Sequence, residues 1–213
     1  MFDTWQVSGL SGTGSHDVEV REVFVPEAFM WKFTSQAPRG RHFKDPLYRF
    51  LFMGIFGWSL AAAPLGIAQG AIDEIMQVAQ RKTPRLSSNT LREQSLFQTQ
   101  LAQAIALVSS ARAWLHAVVT KVWEKALRGE EASFVERAEF LLAATNATRS
   151  SAAVIELAYT AGGGSANYRK SPLQRQMRDM HAVTQHVALS PIQYETSGRM
   201  LLGLVPDDPF TLL

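Results

Sequence analysis

From about Pro46 onward the apolar residues of this chain recur at helical spacing through stretches too long for any sheet protein, and this limits the fold most. Ile55, Trp58, Leu65, Ala68, Ile72 and Ile75 mark the first helix. Pro64 is expected to kink or divide it, and Arg81–Ser88, RKTPRLSS, to end it. The second is expected to open near Ser88 or Asn89, with Ser88 as cap, and to carry Leu101, Val108, Leu115 and Val122 on one face. It stops near Arg128-Gly129. The third starts after Ser133, holds Phe134, Ala138, Leu141, Ile155 and Tyr159, and ends at the triplet Gly162, Gly163, Gly164. The fourth starts around Ser171-Pro172 and is expected to reach about Gly203, with Pro191 kinking or interrupting it and Pro206 and Pro209 ending regular structure. The sum is a mainly α chain, an antiparallel four-helix bundle preceded by a short β segment. Helices of about 30 residues are about 45 Å long. Their surplus apolar faces predict a homo-oligomer, a dimer or tetramer.

Residues 1–27 differ in kind. Val18, Val20, Val23, Phe24 and Val25 are strand formers in a near alternation, DVEVREVFVP, closed by Pro26. Two strands are expected here, and two strands alone do not make a stable unit. They should pack on the helices or belong to a sheet whose other strands lie upstream of Met1 or in another chain. Residues 28–45, with Pro38 and Gly40, read as a linker, and 46–213 as the helical unit.

Composition narrows function by exclusion. A net charge of +2 with 19% charged residues is no nucleic-acid footprint. The absence of cysteine excludes disulfides and thiolate metal sites, and five scattered histidines give no metal constellation. The start, MFDTW, lacks the basic and apolar regions of a signal peptide. The apolar run Phe50–Ala71 approaches membrane-span length, but its glycines, proline, serine and glutamine favour a buried core helix. The expectation is a cytoplasmic protein that binds neither membrane nor nucleic acid.

The chemistry concentrates in Gly162–His186, GGGSANYRKSPLQRQMRDMHAVTQH. Three glycines leave a backbone that can turn through positive φ or lie against a flat ligand. Arg169, Lys170, Arg175 and Arg178 follow, then Asp179, His181 and His186. That order suits an anionic cofactor beside a proton-transfer group. Structural readings stand beside each functional one: a helix-ending loop for the glycines, a salt-bridge network for Arg175, Arg178 and Asp179, and a helical surface for His181. Five positions separate the two histidines, which on one helix would set them about 140° apart.

Several blocks in the right order resemble the acyl-CoA dehydrogenase superfamily: Trp5-x-x-x-GLSGTGSHDV with a following VP, Ala68-Gln-Gly-Ala, Arg81-Lys82, Leu96-Phe-Gln, and GG-x-S ahead of PLQR-x-x-RD. The resemblance covers nearly the whole chain and implies its C-terminal part, with residues 1–27 the remnant of a middle β-domain. It implies a flavin, FAD or FMN. Thr13 and Ser15, Gly162, Gly163, Gly164 and Ser165 would contact it, and Arg81 would reach the cofactor of a neighbouring subunit. In dehydrogenases of the family the last helix reaches Tyr-Glu-Gly, whose glutamate is often the base. Counting from Arg178 puts His186 at the tyrosine and Val187 at the glutamate, and valine accepts no proton. RDMHAVTQH is more similar to the branch of two-component flavin-dependent hydroxylases, which carry a histidine there. This implies an enzyme that takes reduced flavin from a separate reductase and hydroxylates a small organic, aromatic substrate with O2, with His186 exchanging the proton. The alternatives are an acyl-CoA dehydrogenase with its base elsewhere, and a non-catalytic oligomerising bundle.

Overall fold

The computed structural model describes residues 1–30, 45–49 and 52–206. Among them are five α-helices: α1 Phe52–Arg81, α2 Ser95–Arg128, α3 Phe134–Gly162, α4 Pro172–Val183 and α5 Ile192–Leu201. The linker glycine and proline at 38–40, Leu51 and Pro209 lie outside the described residues.

The helix α3 is the centre, packed against each of the other four. Its composition explains why. Ala143, Ala144, Thr145, Ala147 and Thr148 are all fully buried, so apolar or small surface continues around the helix instead of forming one stripe. Small side chains let neighbours approach on several sides, and buried hydroxyls bond to their own helix: Thr148 to the Ala144 carbonyl at 3.1 Å and Ser151 to that of Ala147 at 2.7 Å. In contrast, α2 buries one narrow stripe, Ala104, Val108, Ala111, Leu115, Val118 and Val122, spaced by three and four. By length and composition α1 and α2 could cross a membrane. Here Ala61, Leu65, Ala68, Ile72 and Ile75 of α1 join the shared core instead.

Four expectations change. The first helix runs through Pro64 undivided, the ring being buried in the core. Ser88 is not the cap: Thr90 caps a 3-10 turn at Leu91–Glu93, with Glu93 accepting from the Thr90 N–H at 2.8 Å and from its hydroxyl at 2.6 Å, and α2 then opens from Gln94 without a side-chain cap. The third helix begins as expected, with Ser133 and Glu136 as a reciprocal capping box and Lys125 of α2 2.6 Å from the Glu136 carboxylate. The Lys125 ammonium, against the cost of burial, holds the Glu136 carboxyl down at about 2.

The expected fourth helix is two. Pro191 has no N–H for the Val187 carbonyl and drives Ser190 out of helical space, to φ −73° and ψ 161°. The freed Val187 carbonyl accepts from Gln193 Nε2 at 3.0 Å and Ser190 Oγ at 3.2 Å, while α4 itself ends earlier, at Val183, ahead of the extended His186. His186 thus lies outside the helix, and the 140° relation to His181 does not apply.

No strand forms among the described residues of 1–27. A single antiparallel bridge joins Phe2 to Asp17, and Val18, Val20, Val23 and Phe24 are exposed. The alternating pattern is present, but no partner strand covers it.

Candidate functional site

Helix α4 organises the candidate site. Twelve residues give it a length of about 18 Å. The glycine loop enters its N-terminus, the Gly9–Ser15 loop docks on its middle, and His186 follows its end.

At the first position α3 ends on Gly162, which is buried. A Cβ there would stand 2.9 Å from Ala166 Cβ and 2.9 Å from Leu173 Cδ1. Gly163 takes φ +53° and ψ −150°, a conformation that excludes other residues. Lys82, the first residue past α1, reaches across and donates from Nζ to the carbonyls of Ala161, at 3.2 Å, and Gly162. Partial burial pushes the Lys82 ammonium below the ordinary lysine range. The lysine therefore neutralises the carbonyl end of α3 and ties the α1 and α3 termini together. Beyond it Gly163, Gly164 and Ser165 are exposed, and a Cβ on Gly164 would meet nothing within 4 Å. This open, cationic backbone surface fits a flat anionic ligand. Arg81, exposed at the last position of α1, makes no hydrogen bond or ion pair among the described residues. Below the loop, Ile72, Ile75, Phe97, Leu101, Ala104 and Leu157 line an apolar cleft between α1, α2 and α3.

At the second position the N-terminal loop folds on itself and then onto α4. Trp5 Nε1 and Thr13 Oγ1 both donate to the Leu10 carbonyl, at 3.1 and 2.8 Å. Leu10, a non-glycine residue, is left-handed at φ +52°. Its N–H donates to Asp179 Oδ1 at 2.8 Å, while Arg178 donates to the Ser8 carbonyl at 2.7 Å. The expected salt-bridge network is thus replaced: Arg178 and Asp179 spend their polar groups on the backbone of residues 8–10. Ser15 has no hydrogen-bond partner among the described residues, so its hydroxyl is available to a ligand.

At the third position the His186 Nδ1 accepts the Ala188 N–H at 3.2 Å, capping the 3-10 turn Val187–Leu189. The neutral ring must then carry its proton on Nε2, which is exposed and unpartnered among the described residues. The next residue, Val187, is also exposed. His181 points elsewhere, pairing with Glu156 of α3 at 3.0 Å on the surface.

The structure brings Gly162–Ser165 together with the end of α1, and brings the Thr13–Ser15 loop to α4. It does not join these into one pocket: the Asp179 dock lies seven residues beyond Pro172, about 10 Å along α4. Sequence reasoning missed Lys82 as the tie between helix ends and Gly9 as a packing glycine. A lysine just past a helix whose neighbour ends in glycines was the available signal for the first.

The chain matches the model of the acyl-CoA dehydrogenase C-terminal domain over residues 58–191. It is 31% identical over 204 residues to an indole-3-acetate monooxygenase of Pseudomonas putida, covering 96% of this chain and 51% of that protein. The solved 3-HSA hydroxylase of Rhodococcus sp. RHA1 superposes with a TM-score of 0.85 at 26% identity, over 98% of this chain and 54% of the other. XiaF from Streptomyces sp., solved in complex with FADH2 and glycerol, shares the fold with a TM-score of 0.87 at 22% identity, over 98% and 54%. The chain spans about half the length of these relatives. With most of α1 to α4 inside the matched region, it belongs to the acyl-CoA dehydrogenase family, whose C-terminal domain it carries.

Proposed function

We propose that this chain is the C-terminal half of a flavin-dependent monooxygenase, which receives reduced flavin from a separate reductase and hydroxylates a small aromatic substrate with O2. The observation that carries the reading is the pair at the end of α4: a histidine with its Nε2–H free, followed by a valine where dehydrogenases of the family place a carboxylate. The kinship to an indole-3-acetate monooxygenase and to the 3-HSA hydroxylase fold supports the same branch.

The residues fit a flavin. The open, cationic glycine surface suits its phosphates and ribityl chain, and Arg81 and Lys82 supply charge there. On the loop docked to α4, Ser15 keeps a hydroxyl free among the described residues, and the Thr13 hydroxyl oxygen can still accept. When bound, reduced flavin supplies the two electrons that activate oxygen. The protein's own part is to meet developing charge. With Nδ1 engaged by Ala188, the neutral His186 ring presents its Nε2–H as a hydrogen-bond donor to a developing anion. Val187 keeps the adjacent surface apolar.

Because the glycine loop and the Thr13–Ser15 loop lie apart along α4, one flavin is shared between copies, with Arg81 serving a neighbouring subunit. A dimer or tetramer follows from this reading. In the same reading residues 1–27 are the edge of a middle β-domain, 28–45 its linker, and 46–213 a four-helix unit in which α4 and α5 count as one interrupted helix.

The test is turnover of the full-length protein. Reduced flavin, O2 and a phenol or indole acid should yield hydroxylated product. Reduction of an artificial electron acceptor by an acyl-CoA, without hydroxylation, would replace this reading with the dehydrogenase one. A protein that binds no flavin and only assembles would leave the oligomerising bundle.

A further inference from the structure

Asp179 and Arg178 have no part in any chemistry derived above, yet they make the hydrogen bonds that join residues 8–10 to the bundle. The Asp179 carboxylate accepts the Leu10 N–H at 2.8 Å, and Arg178 NH1 donates to the Ser8 carbonyl at 2.7 Å. Between them sits Gly9, which is buried. A Cβ on it would stand 2.1 Å from the Arg178 carbonyl oxygen and 2.8 Å from the Asp179 nitrogen. Those are backbone atoms of α4 and cannot swing aside. The loop is therefore pressed flat against the helix, and glycine alone permits it.

The consequence lies in what each partner carries. Leu10 is the hub of its loop: its carbonyl takes hydrogen bonds from Trp5 and Thr13, and its left-handed φ of +52° turns the chain toward Thr13 and Ser15. A non-glycine residue holds that conformation only when its surroundings enforce it. Asp179 in turn stands on α4, whose end delivers His186 seven residues later. One carboxylate thus joins the loop bearing the proposed flavin hydroxyls to the element bearing the proposed hydrogen-bond donor, His186.

We infer that Asp179, with Gly9 and Arg178, is a positioning clamp that sets the Thr13–Ser15 loop in register with His186, so that flavin affinity depends on a residue that does not touch the flavin. This rests on the function proposed above. It assigns to the Arg-Asp pair a role that the sequence alone suggested was a local ion-pair network.

The clamp is tested in two ways that separate it from its parent reading. In the 213-residue chain, amide hydrogen exchange at Leu10 reads the clamp without any cofactor. Asp179→Ala should speed exchange at Leu10 at least tenfold, and Asp179→Asn, whose amide oxygen can still accept, should stay near wild type. In the full-length protein, spectroscopic titration with reduced FAD should show affinity falling at least tenfold in Asp179→Ala and largely restored in Asp179→Asn. If the alanine variant does not fold, Gly9→Ala perturbs the same contact from the other side and should give the same two results. Unchanged Leu10 exchange in a folded Asp179→Ala protein overturns the clamp. Faster exchange with unchanged flavin affinity, in a wild type that binds reduced FAD, makes it a stability contact only and overturns the positioning role. A wild type that binds no reduced FAD instead overturns the proposed function and, with it, the flavin part of this inference.

Discussion

The two ends of α4 are built by opposite means. At the N-terminal end the constraint is volume: Gly162 has neighbours 2.9 Å from where a Cβ would stand, and Lys82 fills the remaining space against the α3 carbonyls. At the C-terminal end the constraint is hydrogen bonding: Thr184 Oγ1 to the His181 carbonyl at 2.8 Å, Ala188 N–H to His186 Nδ1 at 3.2 Å, Gln193 to the Val187 carbonyl at 3.0 Å. Steric ends fix a shape and tolerate little change. Polar ends hold a side chain in one tautomer while leaving its far face open. The difference teaches where to look for each consequence: stability at the glycine end, chemistry at the histidine end.

The strongest way to break this contrast is Gly162→Leu. It should destabilise the chain by about 3 kcal/mol, or prevent folding, since the added side chain enters a filled core; thermal or urea unfolding measures it, and a loss under about 0.5 kcal/mol would contradict the volume argument. Next comes His186→Ala. The proposed role predicts about a 100-fold loss of hydroxylation by the full-length protein, with less than about 1 kcal/mol of stability, the value of a lost cap. Equal loss of both would erase the distinction between the ends.

Lys82→Met keeps the stem and removes the ammonium. It should destabilise by about 2 kcal/mol, because the Ala161 and Gly162 carbonyls lose their shared donor. The smallest effect is expected away from α4, at the α3 cap. Glu136 has a carboxyl held at about 2, chiefly by Lys125, so its folded-state pKa lies below the unfolded value of 4.5. The stability it gives is present above about pH 4.5 and is lost as pH falls toward 2. Glu136→Gln should remove about 1–2 kcal/mol at neutral pH and flatten the acid limb of a stability–pH curve.

How much of this was legible in the sequence depends on the range of the interaction. The bodies of α1 to α3 were readable because Leu65, Val108 and Ile155 sit in local periods that packing obeys. The capping box ahead of α2 was readable and misread: Thr90-x-x-Glu93, which closes the 3-10 turn before the helix, carries the reciprocal pairing that Ser88 lacks. Pro191 was legible as an interruption, freeing the Val187 carbonyl and taking Ser190 out of helical space, but the earlier end of α4 at Val183 was not, because no proline or glycine marks it. The strands of residues 1–27 were inferred from a pattern that acquires structure only beside a partner. The contact of Asp179 with Leu10 was invisible: the residues are 169 apart and no period links them. Of the candidate site, the glycine loop and the histidine were legible as residues, and their placement at the two ends of one helix was not.

That α4 is a single uninterrupted helix has a consequence for how such a chain can change over time. The dock at Asp179 and the turn at His186 are connected by rigid helix as far as Val183, so length there is also angle. One residue inserted between Asp179 and Val183 would rotate everything downstream by about 100° and advance it by about 1.5 Å, changing where the histidine stands relative to the docked loop. The connection from Lys82 to Thr90 carries no such register. Insertions and deletions should therefore accumulate in that connection and be absent from these few helical positions, making spacing, more than residue identity, the trait that descent preserves there.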